Sequence, residues 1–149
     1  MQYGAHGMYS DMCNIGSSFI NNVVSGTTTA GYQMHYGWNV TVSSNIFDGG
    51  FVAAPGDSVI YANPSPSMGA SFAFTNNTVL HGTNATLLSV DLARSNSSKN
   101  YTFHGNRYVI TSAGRPQFET RGGKADGWGD WLAIGQDQDS TCTDHGAPC

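Results

Sequence analysis

Four stretches of the chain, 17–24, 40–47, 72–79 and 101–108, repeat one alternation of apolar and polar positions. Each is anchored on an asparagine: Asn22, Asn45, Asn77 and Asn106. Three residues before the anchor stand Phe19, Val42, Phe74 and Phe103, and two residues after it stand Val24, Phe47, Val79 and Tyr108. Alternation of this kind predicts a strand on each side of the anchor. The asparagine is expected to break the strand, because Asn tolerates left-handed backbone and closes its own turn. The anchors lie 23, 32 and 29 residues apart. Strand, Asn turn and strand in units of that length predict a solenoid with one coil per repeat and the asparagines stacked as a ladder. An antiparallel sandwich would explain the alternation but not the recurrent Asn.

The two longer intervals carry insertions. One is a turn-rich excursion from Pro55-Gly56-Asp57 through Asn63-Pro64-Ser65-Pro66, and the other spans 93–98 after an expected strand at 86–90. From about Ser112 the pattern decays, which divides the chain into coils over 1–112 and a cap and tail over 113–149. The aromatic segment from Trp128 to Gly135 reads as a short helix or plug that covers the last coil. No such cap precedes the first coil, so the expectation is a fragment whose upstream coils lie elsewhere.

Composition agrees with an all-β reading. Gly, Asn, Ser and Thr make up 60 of 149 residues, and only 11% are charged. Helix formers are too scarce for a bundle or coiled coil. The net charge is −4 and no basic cluster occurs, so nucleic acid is not an expected partner. No apolar run approaches the roughly 20 residues that span a bilayer. The opening Met1–Gly7 lacks the features of a signal peptide. Five N-x-[ST] sequons, at Asn39, Asn76, Asn84, Asn96 and Asn100, nevertheless lean toward a secreted, glycosylated chain. Cys142 and Cys149 are close enough in sequence to bridge, which leaves Cys13 over. A monomer is expected.

The stretches 19–24 and 40–47 resemble the repeat of right-handed parallel β-helix proteins, a fold common among pectate lyases, polygalacturonases and alginate lyases and epimerases. Three further stretches, 7–11, Met34-His35-Tyr36-Gly37 and 131–137, resemble secreted β-helix proteins related to some glycoside hydrolases. The resemblance runs from about residue 4 to residue 140. It implies an all-β fold, a single-stranded right-handed parallel β-helix of four to five coils, and action on a polysaccharide.

Register places the candidate chemistry. Gly7 corresponds to Gly31 and Asn22 to Asn45, so Asp11 is expected beside His35 on the next coil, about 4.8 Å away. A carboxylate beside an imidazole can do general acid–base work. Tyr9, Tyr36 and Trp38 are candidates for stacking on sugar rings, with His6 at the edge of the same face. The expected function is polysaccharide hydrolysis in an outward groove with Asp11 and His35 as the catalytic pair. The alternatives are a non-catalytic glycan-binding or structural β-helix, a truncated inactive fragment, and a polysaccharide lyase.

Some residues depart from the family pattern. Met12 stands where relatives carry a second acid, and Tyr61-Ala62-Asn63 on the following coil is uncharged. Hydrolysis needs two carboxylates, and Asp48 and Asp57 sit near glycine-rich turns. No Lys or Arg base stands beside acids in the first two coils, as a lyase would require. No cofactor is expected. Asp137-Gln138-Asp139 offers oxygens of the kind that hold Ca²⁺ but lacks the glycine and closing Glu of a calcium loop, so it reads as a solvated tail. His81 and His104 read as partly buried structural histidines.

Overall fold

A computed structural model describes residues 4–11, 15–52, 57–63, 71–83, 85–91, 101–111, 118–120 and 127–149. The described chain is all-β with one short helix. Its strands are β1 (His6–Ser10), β2 (Ser18–Ile20), β3 (Val23–Val24), β4 (Ala30–His35), β5 (Val40–Ser43), β6 (Ile46–Asp48), β7 (Ser58–Asn63) and β8 (Phe72–Thr75). They continue with β9 (Thr78–His81), β10 (Thr86–Val90), β11 (Tyr101–His104), β12 (Arg107–Ile110), β13 (Phe118–Thr120), β14 (Thr141–Asp144) and β15 (Ala147–Pro148). The helix α1 spans Trp128–Ala133.

The strands form three sheets, ordered β1-β4-β7-β10-β13, β11-β8-β5-β2 and β15-β14-β12-β9-β6-β3. The chain visits the three in the same order on its first four circuits, and on the last it passes from β13 through α1 to β14. Every pairing is parallel except β14 with β15. Stacked parallel sheets of this kind are compatible with a β-helix-like solenoid.

Inward positions line up across circuits. Met8, Tyr32, Ile60, Leu88 and Phe118 form one column of the first sheet. Phe19, Val42, Phe74 and Phe103 form a column of the second. Val24, Phe47, Val79, Tyr108 and Cys142 form a column of the third. From the second circuit onward these side chains are almost wholly buried. Aromatic rings link the columns: Tyr32 stacks on Phe72 at 5.8 Å, and Phe103 meets Trp131 of α1 edge-on at 5.0 Å. Gly7 and Gly31 are small because the backbones approach closely there. A Cβ on Gly7 would collide with Val24 and the Gly31 carbonyl.

The asparagine ladder is present, with a different division of labour at the corner. Positive φ belongs to the residue before each anchor: Asn21 at 59°, Ser44 at 58°, Asn76 at 56° and Gly105 at 63°. The anchors themselves point inward and bond to one another. The backbone N–H and side-chain Nδ2 of Asn22 both donate to Asn45 Oδ1, at 2.8 and 3.0 Å. Asn45 repeats this toward Asn77, and Asn77 toward Asn106. Asn106 Nδ2 then donates to Asp137 Oδ1 at 2.8 Å.

Asp137 is therefore not a solvated tail residue. It is fully buried and also accepts from Tyr108 Oη and Trp131 Nε1, each at 2.8 Å, and from Ser140 Oγ. A carboxylate only accepts, so it satisfies the last amide of the ladder and passes no donor on. Two further findings revise the sequence reading. The stretch read as a turn-rich excursion contains β7, the middle strand of the first sheet. Beyond Ser112, β13 and β14 still extend two of the sheets. The expected Cys142–Cys149 disulfide is present. Cys13 lies outside the described residues.

Candidate functional site

The site grows from the register of the first two circuits. Ser10 pairs with Met34, so Asp11 falls beside His35 at the carboxyl ends of β1 and β4. Ser10 and Met34 are buried, which turns the next residue of each strand outward. His35 Nδ1 lies 3.2 Å from Asp11 Oδ1. The side chains of His35 and Asp11 are 33% and 60% exposed, so the pair faces solvent. Because the carboxylate only accepts, this hydrogen bond is donated by Nδ1–H, and Nε2 points away from Asp11.

Tyrosines flank the pair. Tyr9 Oη donates to Asp11 Oδ1 at 3.4 Å. Local desolvation, then the charge of Asp11, raises the Tyr9 phenol above its ordinary value, so it remains a donor at neutral pH. Tyr36 takes a left-handed φ of 61° at the corner, and its ring centroid lies 4.2 Å from that of His35. His6 joins through Tyr9, with 5.6 Å between centroids. Trp38 lies elsewhere: it bridges to Ile15 past the corner and its ring packs against the hydrophobic core.

Register extends the face along the first sheet, where Tyr61-Ala62-Asn63 follows on the next strand as expected. Tyr9, Gln33, Tyr61, Ser89 and Glu119 share one column of the first sheet. Tyr61 stands two strands from Tyr9, roughly 10 Å at the usual strand spacing. Beyond His35 the neighbouring column continues with Asn63, and Asp91 follows β10 one strand further. Both are almost completely buried, and Asn63 Oδ1 makes no hydrogen bond. Asp11 and Asp91 are three strands apart, roughly 14 Å. That exceeds the approximately 5–9.5 Å separating the two carboxyls of glycosidases.

The remaining expected residues lie apart. Asn39 and Asn76 are exposed corner residues with φ of 53° and 56°. Asn84, Asn96 and Asn100 lie outside the described residues. Asp48 bonds back to the Gly50 amide at 3.0 Å as a turn residue. His81 is buried, with Nε2 2.6 Å from the Ala85 carbonyl oxygen, and burial lowers its pKa. His104 is exposed, not partly buried as expected, and lies 3.8 Å from Asp139. Those two line an open cleft of about 470 Å³ with Tyr101, Phe103, Gln136 and Gln138. Only the folding of the tail against β11 creates that cleft, so no local motif announces it. Among the described residues, no group of three or more His, Cys, Asp or Glu is placed to hold a metal ion. Among the described residues, no helix is long and apolar enough to cross a membrane.

No protein-family model matches the chain, and neither does any curated protein or solved structure.

Proposed function

We propose that the chain is a right-handed parallel β-helix that binds polysaccharide on the outer face of its five-stranded sheet. The Asp11–His35 pair at 3.2 Å, set between the rings of Tyr9 and Tyr36, carries the reading. Sugar recognition calls for apolar ring faces together with a few fixed donors and acceptors. This cluster supplies both in the open, on rigid strand ends. Right-handedness is supported by the parallel crossovers, which take that hand in about 98% of cases. The disulfide and the exposed sequons at Asn39 and Asn76 support an extracellular setting.

Binding is favoured over hydrolysis because the described acids do not converge on the pair. Hydrolysis is kept as a second reading on one observation. The His35 ring is held by a carboxylate at Nδ1, an arrangement that general bases use to orient the imidazole.

Calorimetry and reducing-sugar release over neutral and acidic polysaccharides test both. Binding by the native chain, weakened at least about tenfold by Asp11→Asn or His35→Ala with no sugar released, is the expected result. Release abolished by either substitution would establish hydrolysis. Binding untouched by both substitutions would overturn the site.

A further inference from the structure

The two ends of the molecule are chemically unlike. At one end the asparagine ladder stops on Asp137, and α1 lays Trp131 over Phe103 and Phe118. At the other end β1, β2 and β3 are each the outermost strand of a sheet, paired on one side only among the described residues. Inward residues lose their cover there. Met8 and Phe19 are half-buried, whereas Tyr32, Ile60, Leu88, Val42 and Phe74 in the same columns are wholly buried. Ile15, the partner of core-packed Trp38, is 58% exposed.

The ladder has a direction. Asn22, Asn45 and Asn77 each donate their N–H and Nδ2 to Oδ1 of the next asparagine, so Asn45, Asn77 and Asn106 each receive both donors from the one before. Asn22 donates to Asn45 and to the Ile20 carbonyl, and among the described residues nothing donates to its Oδ1. We infer that this end docks one further parallel β coil with an asparagine at its corner, whose N–H and Nδ2 complete Asn22 Oδ1. A second copy of the chain does not fit. It presents either the same acceptor-terminated end or the end closed by Asp137, and neither offers the donors. The inference rests on the ladder and the open core, not on the glycan reading.

A chain with residues 4–27 repeated directly before Gly4 tests it, since the repeat keeps the 24-residue step from His6 to Ala30. Hydrogen exchange is the readout. The amides of residues 6–10 and 18–24 should exchange more slowly by on the order of tenfold in the extended chain. Asn22→Asp in the added copy should weaken the slowing at residues 18–24, because the carboxylate loses the Nδ2 donor and turns a lone pair toward Asn22 Oδ1, leaving only the backbone N–H. Ile15→Lys at the native position should shift the melting midpoint of the unextended chain by no more than about 2 °C, yet remove the slowing from the extended one. Unchanged exchange on extension, or equal slowing with the aspartate, overturns the inference. So does unfolding of the unextended chain by Ile15→Lys, which would mean that this end is already covered.

Discussion

Asn77 illustrates how much one side chain settles in this molecule. Its Oδ1 takes two donors from Asn45, its Nδ2 reaches both Val42 O and Asn106 Oδ1, and its N–H meets the same Asn106 oxygen. All of this is buried, and an orphaned buried donor costs about 1–3 kcal/mol. Asn77→Ala strands donors of Asn45 and is expected to destabilise the fold by roughly 3 kcal/mol. Asn22→Ala, at the open end, strands none and should cost about 1 kcal/mol. Urea unfolding of both variants checks the order; equal losses would mean that the ladder is not cooperative. The anchors were legible from their spacing, but their conformation was not. Left-handed backbone falls to the residue before, where Asn, Ser and Gly alternate without an obvious signature, while the anchor spends its amide on its neighbours.

Elements built on two-residue alternation, such as β5, β8 and β11, could be read directly because one face is core and the other is wet. The strand β7 could not. Its sequence Ser-Val-Ile-Tyr-Ala-Asn is buried at five of six positions, so no alternation marks it, and it lies among Pro, Gly and Asn. The closing segment was legible as aromatic but not as the terminus of the ladder, because Asp137 acquires its role only once Asn106, Tyr108 and Trp131 converge. Trp131→Ala removes a wholly buried indole and one donor to Asp137, and should cost about 3–5 kcal/mol. A loss below 1 kcal/mol would show that α1 does not close the core. Reducing the Cys142–Cys149 bridge opens a short loop, for which chain entropy gives roughly 2.5 kcal/mol. Thermal melts with and without reductant measure it.

Across the whole molecule, buried titratable groups set the pH range of stability. Burial raises the Tyr32 and Tyr108 phenols, and the charge of Asp137 raises Tyr108 further. Above pH 10 the unfolded chain loses these protons while the folded chain keeps them, so stability falls as pH rises. Each tyrosine contributes up to about 1.4 kcal/mol per pH unit. Urea midpoints at pH 9, 10 and 11 should decline, and Tyr32→Phe should flatten the decline. His81 acts at the acid side. Burial lowers its pKa, so below about pH 6.5 the unfolded chain binds a proton that the folded chain refuses, and stability falls as pH falls.

The candidate face was legible as far as register reached. The Gly7–Gly31 and Asn22–Asn45 steps place Asp11 against His35, and backbone alternation brings Tyr9 and Tyr36 to them. Trp38 escaped because the corner at Tyr36 redirects the chain into the core. Tyr61 was placed on the following coil, but Gln33 escaped because its column with Tyr9 and Tyr61 is fixed only by the pairing of β4 with β7. The most direct measurement is an amide NMR titration of the native chain with oligosaccharides drawn from the polysaccharide that binds best. The account predicts shift changes concentrated at residues 6–11 and 33–36, extending to Tyr61 and sparing β6, β9 and β12. Changes confined to 101–104 and 134–139 would place recognition in the cleft of His104 and Asp139 and contradict it.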